Sequence, residues 1–130
     1  MNAYIAIGVE NNMERFVYLA RITKCVDGDT VDAEISLGCN VYITERCRLF
    51  GINTKETYGV KKDSEEYKEG MIAKEWLQNR IEGKEVMIRT HKDKKGKYGR
   101  YLAEIFIGEK SINNEMVEKG LAVEYDGGKR

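Results

Sequence analysis

Apolar and polar side chains alternate without a break along residues 31–37: Val31, Ala33, Ile35 and Leu37 on one side, Asp32, Glu34 and Ser36 on the other. A period of two predicts a strand with one buried face. Residues 16–25, with Phe16, Val17, Tyr18, Leu19 and Ile22, are rich in strand formers, and the Asp-Gly between the two runs predicts a hairpin. Gly28 is expected to supply the positive φ of that turn. Gly38-Cys39-Asn40 predicts the next turn, and residues 41–50 a third strand with Glu45, Arg46 and Arg48 among its apolar positions. Residues 51–59 break the strand pattern and read as a loop. A helix follows, with Asp63 or Ser64 as N-cap, Glu65 and Glu66 in its first turn, and Gly83 as its stop. Its apolar stripe is Ile72, Ala73, Trp76, Leu77 and Ile81, and Gly70 inside it costs about 1 kcal/mol relative to alanine. Residues 84–91 predict a fourth strand with Val86 and Ile88 inward, and residues 101–107 a fifth. A short helix over 112–119 starts at Ser111 or Asn113 and ends at Gly120. Residues 121–130 read as a loose tail, and residues 1–15 as an N-terminal extension without an assigned role.

Three strands, a helix, two strands and a helix is the layout of a β-barrel with helices (α+β): a five-stranded OB-fold barrel, Greek key, with two helices, spanning residues 16–130. The chain of 130 residues is long enough for one domain with its own core. Lys+Arg and Asp+Glu balance at 22 each, so attraction to a polyanion must come from a local patch rather than from net charge. With no proline, turns fall to glycine, Asn and Asp. Cys25, Cys39 and Cys47 are odd in number and lack paired-ligand spacing; with His91 they make a poor zinc set and read as free thiols of a reducing compartment. Residues 1–10 carry no basic start followed by a long apolar run, and no stretch is long enough to span a bilayer. A cytoplasmic monomer without membrane contact is therefore expected.

By the parity of the second strand, Asp29 lies on the side of Val31, at the rim of the apolar interior, where a carboxylate is costly unless paired or coordinated. The layout gathers further chemistry at that end of the barrel: Asp27 beside it, Arg48, Asn53, Thr54 and Glu56 at and after the third strand, and Lys97, Tyr98 and Arg100 before the fifth. Oxygen donors suit a hard cation. Two arginines can hold a phosphodiester as charge builds on it, and a glutamate can orient or deprotonate water. These are the parts of a metal-assisted phosphodiester hydrolase. Each part also has an ordinary structural reading as a turn, a surface ion pair or a solvated loop, and composition and spacing alone favour a plain binding barrel over a nuclease.

Four stretches, in order, then tip the reading. Val26-Asp27-Gly28-Asp29-Thr30-Val31, Arg48-Leu49-Phe50-Gly51-Ile52-Asn53-Thr54-Lys55-Glu56, Lys97-Tyr98-Gly99-Arg100, and Ile112-Asn113 through Val117 to Gly120-Leu121-Ala122 resemble the motifs of the staphylococcal nuclease (thermonuclease) family. The resemblance covers residues 16–125. It implies an OB barrel with helices and Ca²⁺-dependent, sequence-nonspecific hydrolysis of DNA and RNA that leaves 3′-phosphates. It implies Asp29 as principal metal ligand, Thr54 as a ligand through its backbone carbonyl, and Asn53 at a further ligand position. Glu56 is implied as general base or water-positioner, Arg48 and Arg100 as phosphate-binding groups, and Asp27 as a supporting acid. Lys97, Tyr98 and Tyr125 are implied as substrate contacts.

Two departures matter. Asn53 stands where the family usually has aspartate, and Lys55 where it has proline. The first removes a charge from the ligand set and the second a ring from the loop, so weak Ca²⁺ binding is expected, with Mn²⁺ or Mg²⁺ as substitutes. Single strands are the expected substrate, because an OB groove takes splayed bases. The competing reading is a catalytically weak or inactive barrel that binds nucleic acid or a protein partner.

Overall fold

The computed structural model describes residues 16–57, 59–92 and 101–125. The chain runs β1 (Val17–Asp27), β2 (Thr30–Gly38), β3 (Val41–Leu49), β4 (Ile52–Asn53), α1 (Glu65–Ile81), β5 (Glu85–Lys92), β6 (Tyr101–Ile107), β7 (Lys110–Ser111), α2 (Ile112–Glu118) and β8 (Val123–Glu124). The five long strands are ordered β3-β2-β1-β5-β6, each pair antiparallel, and β3 closes on β6 in parallel through Cys47↔Tyr101 and Leu49↔Ala103. The result is a closed mixed barrel with two helices, and closure leaves no long free edge. Ile22, Val31, Ala33, Ile35, Leu49, Val86, Ile88, Ala103 and Ile105 fill its interior. Ala73, Leu77 and Ile81 of α1 and Ile112 and Met116 of α2 join the same core.

The alternation of β2 holds for Val31, Ala33 and Ile35 but not for Leu37, which is exposed because the strand there runs past the end of the core. In β1 the parity changes midway: Ala20 and Ile22 are buried, and then Cys25 and Asp27. A bulge between Ile22 and Lys24 inserts the extra residue, and a second irregularity between Cys25 and Asp27 follows it, with Asp27 ending up buried. β5 leaves β1 after Arg21. On that side the backbone N–H of Cys25 has no β5 residue opposite it and donates to Glu82 Oε2 at 2.7 Å. Glu82→Ala is expected to cost about 1 kcal/mol or more by stranding that N–H, and Glu82→Gln much less because an acceptor remains; urea unfolding separates the two.

Helix α1 starts at Ser64, whose Oγ accepts from the N–H of Tyr67, and carries Glu65 and Glu66 in its first turn. Of the expected apolar stripe, Ile72 is 56% exposed; it faces the cleft described below. Helix α2 starts at Ser111 rather than Asn113. The helices are joined by Arg80, whose Nε and Nη2 donate to the two Glu115 carboxylate oxygens at 3.0 and 3.2 Å. That guanidinium holds the Glu115 carboxyl below its ordinary value. A depressed carboxyl contributes stability that is present above its unfolded value and lost as pH falls through the folded one. Glu115→Gln should therefore flatten the acid limb of the stability curve below about pH 4, as measured by urea midpoints across pH.

Three expectations are corrected. Gly28 does not have positive φ. A Cβ there would lie 2.8 Å from Thr54 Oγ1 and 3.0 Å from the Ala73 Cβ, so glycine is required for space. The stretch after β3 is not all loop, and residues 121–125 are not loose. Ile52 and Asn53 pair with Glu124 and Val123, and the N–H of Tyr125 donates to the Gly51 carbonyl at 2.8 Å. Two residues on each side are too few to give a periodic sequence signal. Cys25 and Cys47 are core thiols, each pushed up to about 12 by burial, while Cys39 is exposed at the β2–β3 turn, so the three do not converge. No helix among the described residues is long and apolar enough to cross a membrane.

Candidate active site

The β1–β2 tip, the end of β3 and residues 52–57 meet at one end of the barrel. Asp29 is 5% exposed. Its backbone carbonyl accepts from the N–H of Leu49 at 2.8 Å, which fixes the tip against the end of β3. Its carboxylate is satisfied from three sides. Oδ1 accepts from Thr30 Oγ1 at 3.2 Å, Oδ2 accepts from the N–H of Thr54 at 3.2 Å, and Arg48 Nη2 lies 3.6 Å from Oδ2. Asp27, also buried, accepts at Oδ1 from the N–H of Gly28 and from Thr57 Oγ1 at 3.1 Å. Burial pushes the Asp27 carboxyl up, the two hydrogen bonds pull it back, and the negative charges of Asp29 and Glu56 add to the upward side.

Arg48 is the hub. Its side chain is only 14% exposed. Nη2 donates to Asn53 Oδ1 and, at 3.4 Å, to the Ile52 carbonyl, while facing Asp29. The guanidinium carbon lies 5.4 Å from the Tyr125 ring centroid, within cation–π range. The short β4–β8 pairing carries both Asn53 and the chain leading to Tyr125, and so sets two of Arg48's neighbours. Asn113 supports this from behind. Its Oδ1 accepts from the N–H of Ile105 at 3.1 Å, and its Nδ2 donates to the carbonyls of Phe50 and Ala103 at 2.8 and 3.0 Å. It thereby ties the segment just after Arg48 to β6.

Glu56 is half-buried and lines a cleft of about 670 Å³ beside this cluster, together with Asn53, Thr54 and Lys55. The far wall is Glu66, Glu69 and Ile72 of α1, and the floor is residues 120–123. The carboxylates on that wall disfavour a phosphate backbone in the cleft.

Asp27, Asp29, Arg48, Asn53, Thr54 and Tyr125 are thus brought together, with Glu56 on the adjoining cleft. Lys97, Tyr98 and Arg100 lie outside the described residues. Thr57 and Thr30, which hold the two aspartates, carry no sequence signal, since isolated threonines are ordinary in loops and strands.

Asp29 and Asn53 present oxygen atoms to the same nitrogen of Arg48, so the pocket between them accommodates positive charge. Carboxylate, amide oxygen and the Thr54 carbonyl are the donor types of a hard cation. Among the described residues no trio of His, Cys, Asp or Glu side chains could hold a metal. A cation between Asp29 and Asn53 would rest on a carboxylate and neutral oxygens, a fit in donor type with little charge.

A family model described as "Staphylococcal nuclease homologue" matches residues 46–129. The chain is 30% identical over 101 residues to a thermonuclease of Staphylococcus intermedius, covering 78% of this chain and 56% of the relative. It is 32% identical over 140 residues to the uncharacterized protein MJ1439 of Methanocaldococcus jannaschii, covering 88% of this chain and 65% of that one. A thermonuclease of Staphylococcus hyicus is 26% identical over 102 residues, with 78% and 56% covered. The chain spans 56–65% of the length of these curated relatives.

Proposed function

The chain belongs to the staphylococcal nuclease family, and from that premise we propose that it hydrolyses phosphodiester bonds in single-stranded DNA and RNA without sequence preference, assisted by a weakly held divalent cation. The observation that carries this reading is the meeting of the Asp29 and Asn53 oxygens on a single guanidinium, Arg48, next to Glu56.

Each residue has a role in that reaction. Arg48, and Arg100 beyond the described residues, bind the scissile phosphate and stabilise the charge that builds on its oxygens. Glu56 orients water and takes its proton. Tyr125, already against Arg48, offers a face on which a base can stack, with Lys97 and Tyr98 as further contacts. Asp29, Asn53 and the Thr54 carbonyl would hold Ca²⁺, or Mn²⁺ or Mg²⁺ in its place, and Asp27 keeps Thr57 and the loop in register. When bound, the cation supplies charge neutralisation at the phosphate. In this arrangement Arg48 already neutralises the oxygens that would ligate it. A phosphate draws Arg48 toward itself and releases them, so substrate and cation strengthen each other's binding.

Digestion of denatured DNA and RNA with Ca²⁺, Mn²⁺, Mg²⁺ or EDTA tests the reading. Cleavage only with a divalent cation is expected; binding without cleavage under every condition would replace it with a binding barrel. Asn53→Asp should raise Ca²⁺ affinity about tenfold in calorimetry, because affinity follows ligand charge. No change would put the residue-53 side chain outside the coordination sphere.

A further inference from the structure

Gly70 sits in the interior of α1, where glycine costs about 0.5–1 kcal/mol relative to alanine. Its φ is not positive, so backbone freedom does not account for it. Space does. A Cβ on Gly70 would lie 2.7 Å from the Lys55 carbonyl oxygen, 2.8 Å from Thr57 Cγ2 and 3.1 Å from the Glu56 carbonyl oxygen. Two of these three are main-chain atoms of consecutive residues, which cannot rotate away. The segment that carries Glu56 therefore rests directly on the backbone of the helix.

The same segment meets Gly28 from the other side. A Cβ there would fall 2.8 Å from Thr54 Oγ1, 3.1 Å from Thr54 Cβ and 3.0 Å from Ala73 Cβ. Gly70 and Ala73 are three apart and share one face of α1. Residues 54–57 are thus wedged between the β1–β2 tip and that face. Thr54 N–H to Asp29 and Thr57 Oγ1 to Asp27 tie them to the two acids. With Lys55 in place of a ring, local stiffness comes from these hydrogen bonds and from the packing on Gly70.

We propose that Gly70 is a positioning residue for the reaction: by letting α1 lie against residues 55–57 it sets where the Glu56 carboxylate and the Thr54 carbonyl stand relative to Asp29 and Arg48. The proposal rests on the nuclease reading above, but its geometric content can be measured without turnover. Displacement of a catalytic group by about 1 Å can cost on the order of 10²-fold in rate.

Gly70→Ala is the test, compared with Glu75→Gly, which weakens the same helix at an exposed position. For Gly70→Ala, kcat on single-stranded DNA is expected to fall about 10–10²-fold with KM within about threefold, since Arg48 and Tyr125 are not on the displaced segment. Ca²⁺ alone should bind several-fold more weakly by calorimetry, and the amide resonances of residues 54–57 should move. Glu75→Gly should lower the urea midpoint and leave kcat and Ca²⁺ affinity unchanged. Adding Thr57→Ser to Gly70→Ala removes one of the three contacts and should restore part of the loss; the double variant decides the matter if the single one does not fold. Wild-type kcat and Ca²⁺ affinity in a folded Gly70→Ala protein, stabilised by the better helix former, would overturn the proposal. So would losses in Gly70→Ala no larger than in Glu75→Gly. If the wild-type protein cleaves nothing, the nuclease reading fails by itself, and the calorimetric and resonance changes still decide whether Gly70 places residues 54–57.

Discussion

Glu56→Gln is expected to lower kcat on single-stranded DNA by about 10²–10⁴-fold while KM stays within a few-fold. Glutamine keeps the size and the hydrogen-bonding oxygen of the side chain but cannot take a proton from water. Phosphate binding is assigned to the arginines, so substrate affinity should survive. Stability should hardly move, because the side chain is half-buried on a cleft wall rather than in the core. Steady-state kinetics beside a urea curve separates these effects. A fall in kcat matched by a rise in KM would give Glu56 a role in binding, and unchanged kcat would remove it from the proton transfer altogether.

The largest effect on stability is expected at Asn113. Alanine there removes all three hydrogen bonds and leaves the N–H of Ile105 and the carbonyl of Phe50 facing a buried gap, while Ala103 still receives the N–H of Phe50 at 2.8 Å. Each stranded group costs about 1–3 kcal/mol, so about 2–5 kcal/mol is expected, a large share of the stability of a domain this size. Asn113→Asp should be no better. It keeps the acceptor for Ile105 but loses both donors and buries a charge. Urea unfolding with an unchanged m-value checks this. A loss under about 1 kcal/mol would mean that water replaces the amide.

The long elements were legible because their patterns are long. Strict alternation in residues 31–35 and the spacing of Ala73, Leu77 and Ile81 reflect burial directly, and they suffice for a five-stranded barrel with two helices. What escaped was short or tertiary. The two register shifts of β1 leave no mark in Thr23-Lys24 or Val26, yet they change which of its residues face inward. The β4–β8 pairing involves two residues on each side and brings Tyr125 to Arg48. Gly28 and Gly70 look like a turn residue and a helix defect, because sequence records the absence of a Cβ but not what occupies its place. Asn113 was visible as part of a motif, but nothing in it marks the contacts to Ala103 and Ile105 of β6 or to the distant Phe50.

For the candidate site, the acid at the barrel rim was predicted by parity alone, since Asp29 shares the side of Val31. The partner of Arg48 was not. A surface ion pair is the ordinary reading of such an arginine, and it is Arg46 that makes one, with Asp32 at 2.8 Å. Arg48, two positions further along the same strand, turns inward to Asp29 and Asn53 instead.

The central claim is that this rim cluster cuts a phosphodiester with the help of a cation. Single-turnover cleavage of a 5′-labelled single-stranded oligonucleotide, with enzyme in excess and Ca²⁺ titrated against EDTA, tests it most directly. Internal cleavage is expected that requires Ca²⁺, leaves 3′-phosphate ends, and is slowed about 10²-fold or more by Arg48→Lys, which loses the bidentate hold on the phosphate. An oligonucleotide left intact at saturating Ca²⁺, or cut equally well in EDTA, would contradict it.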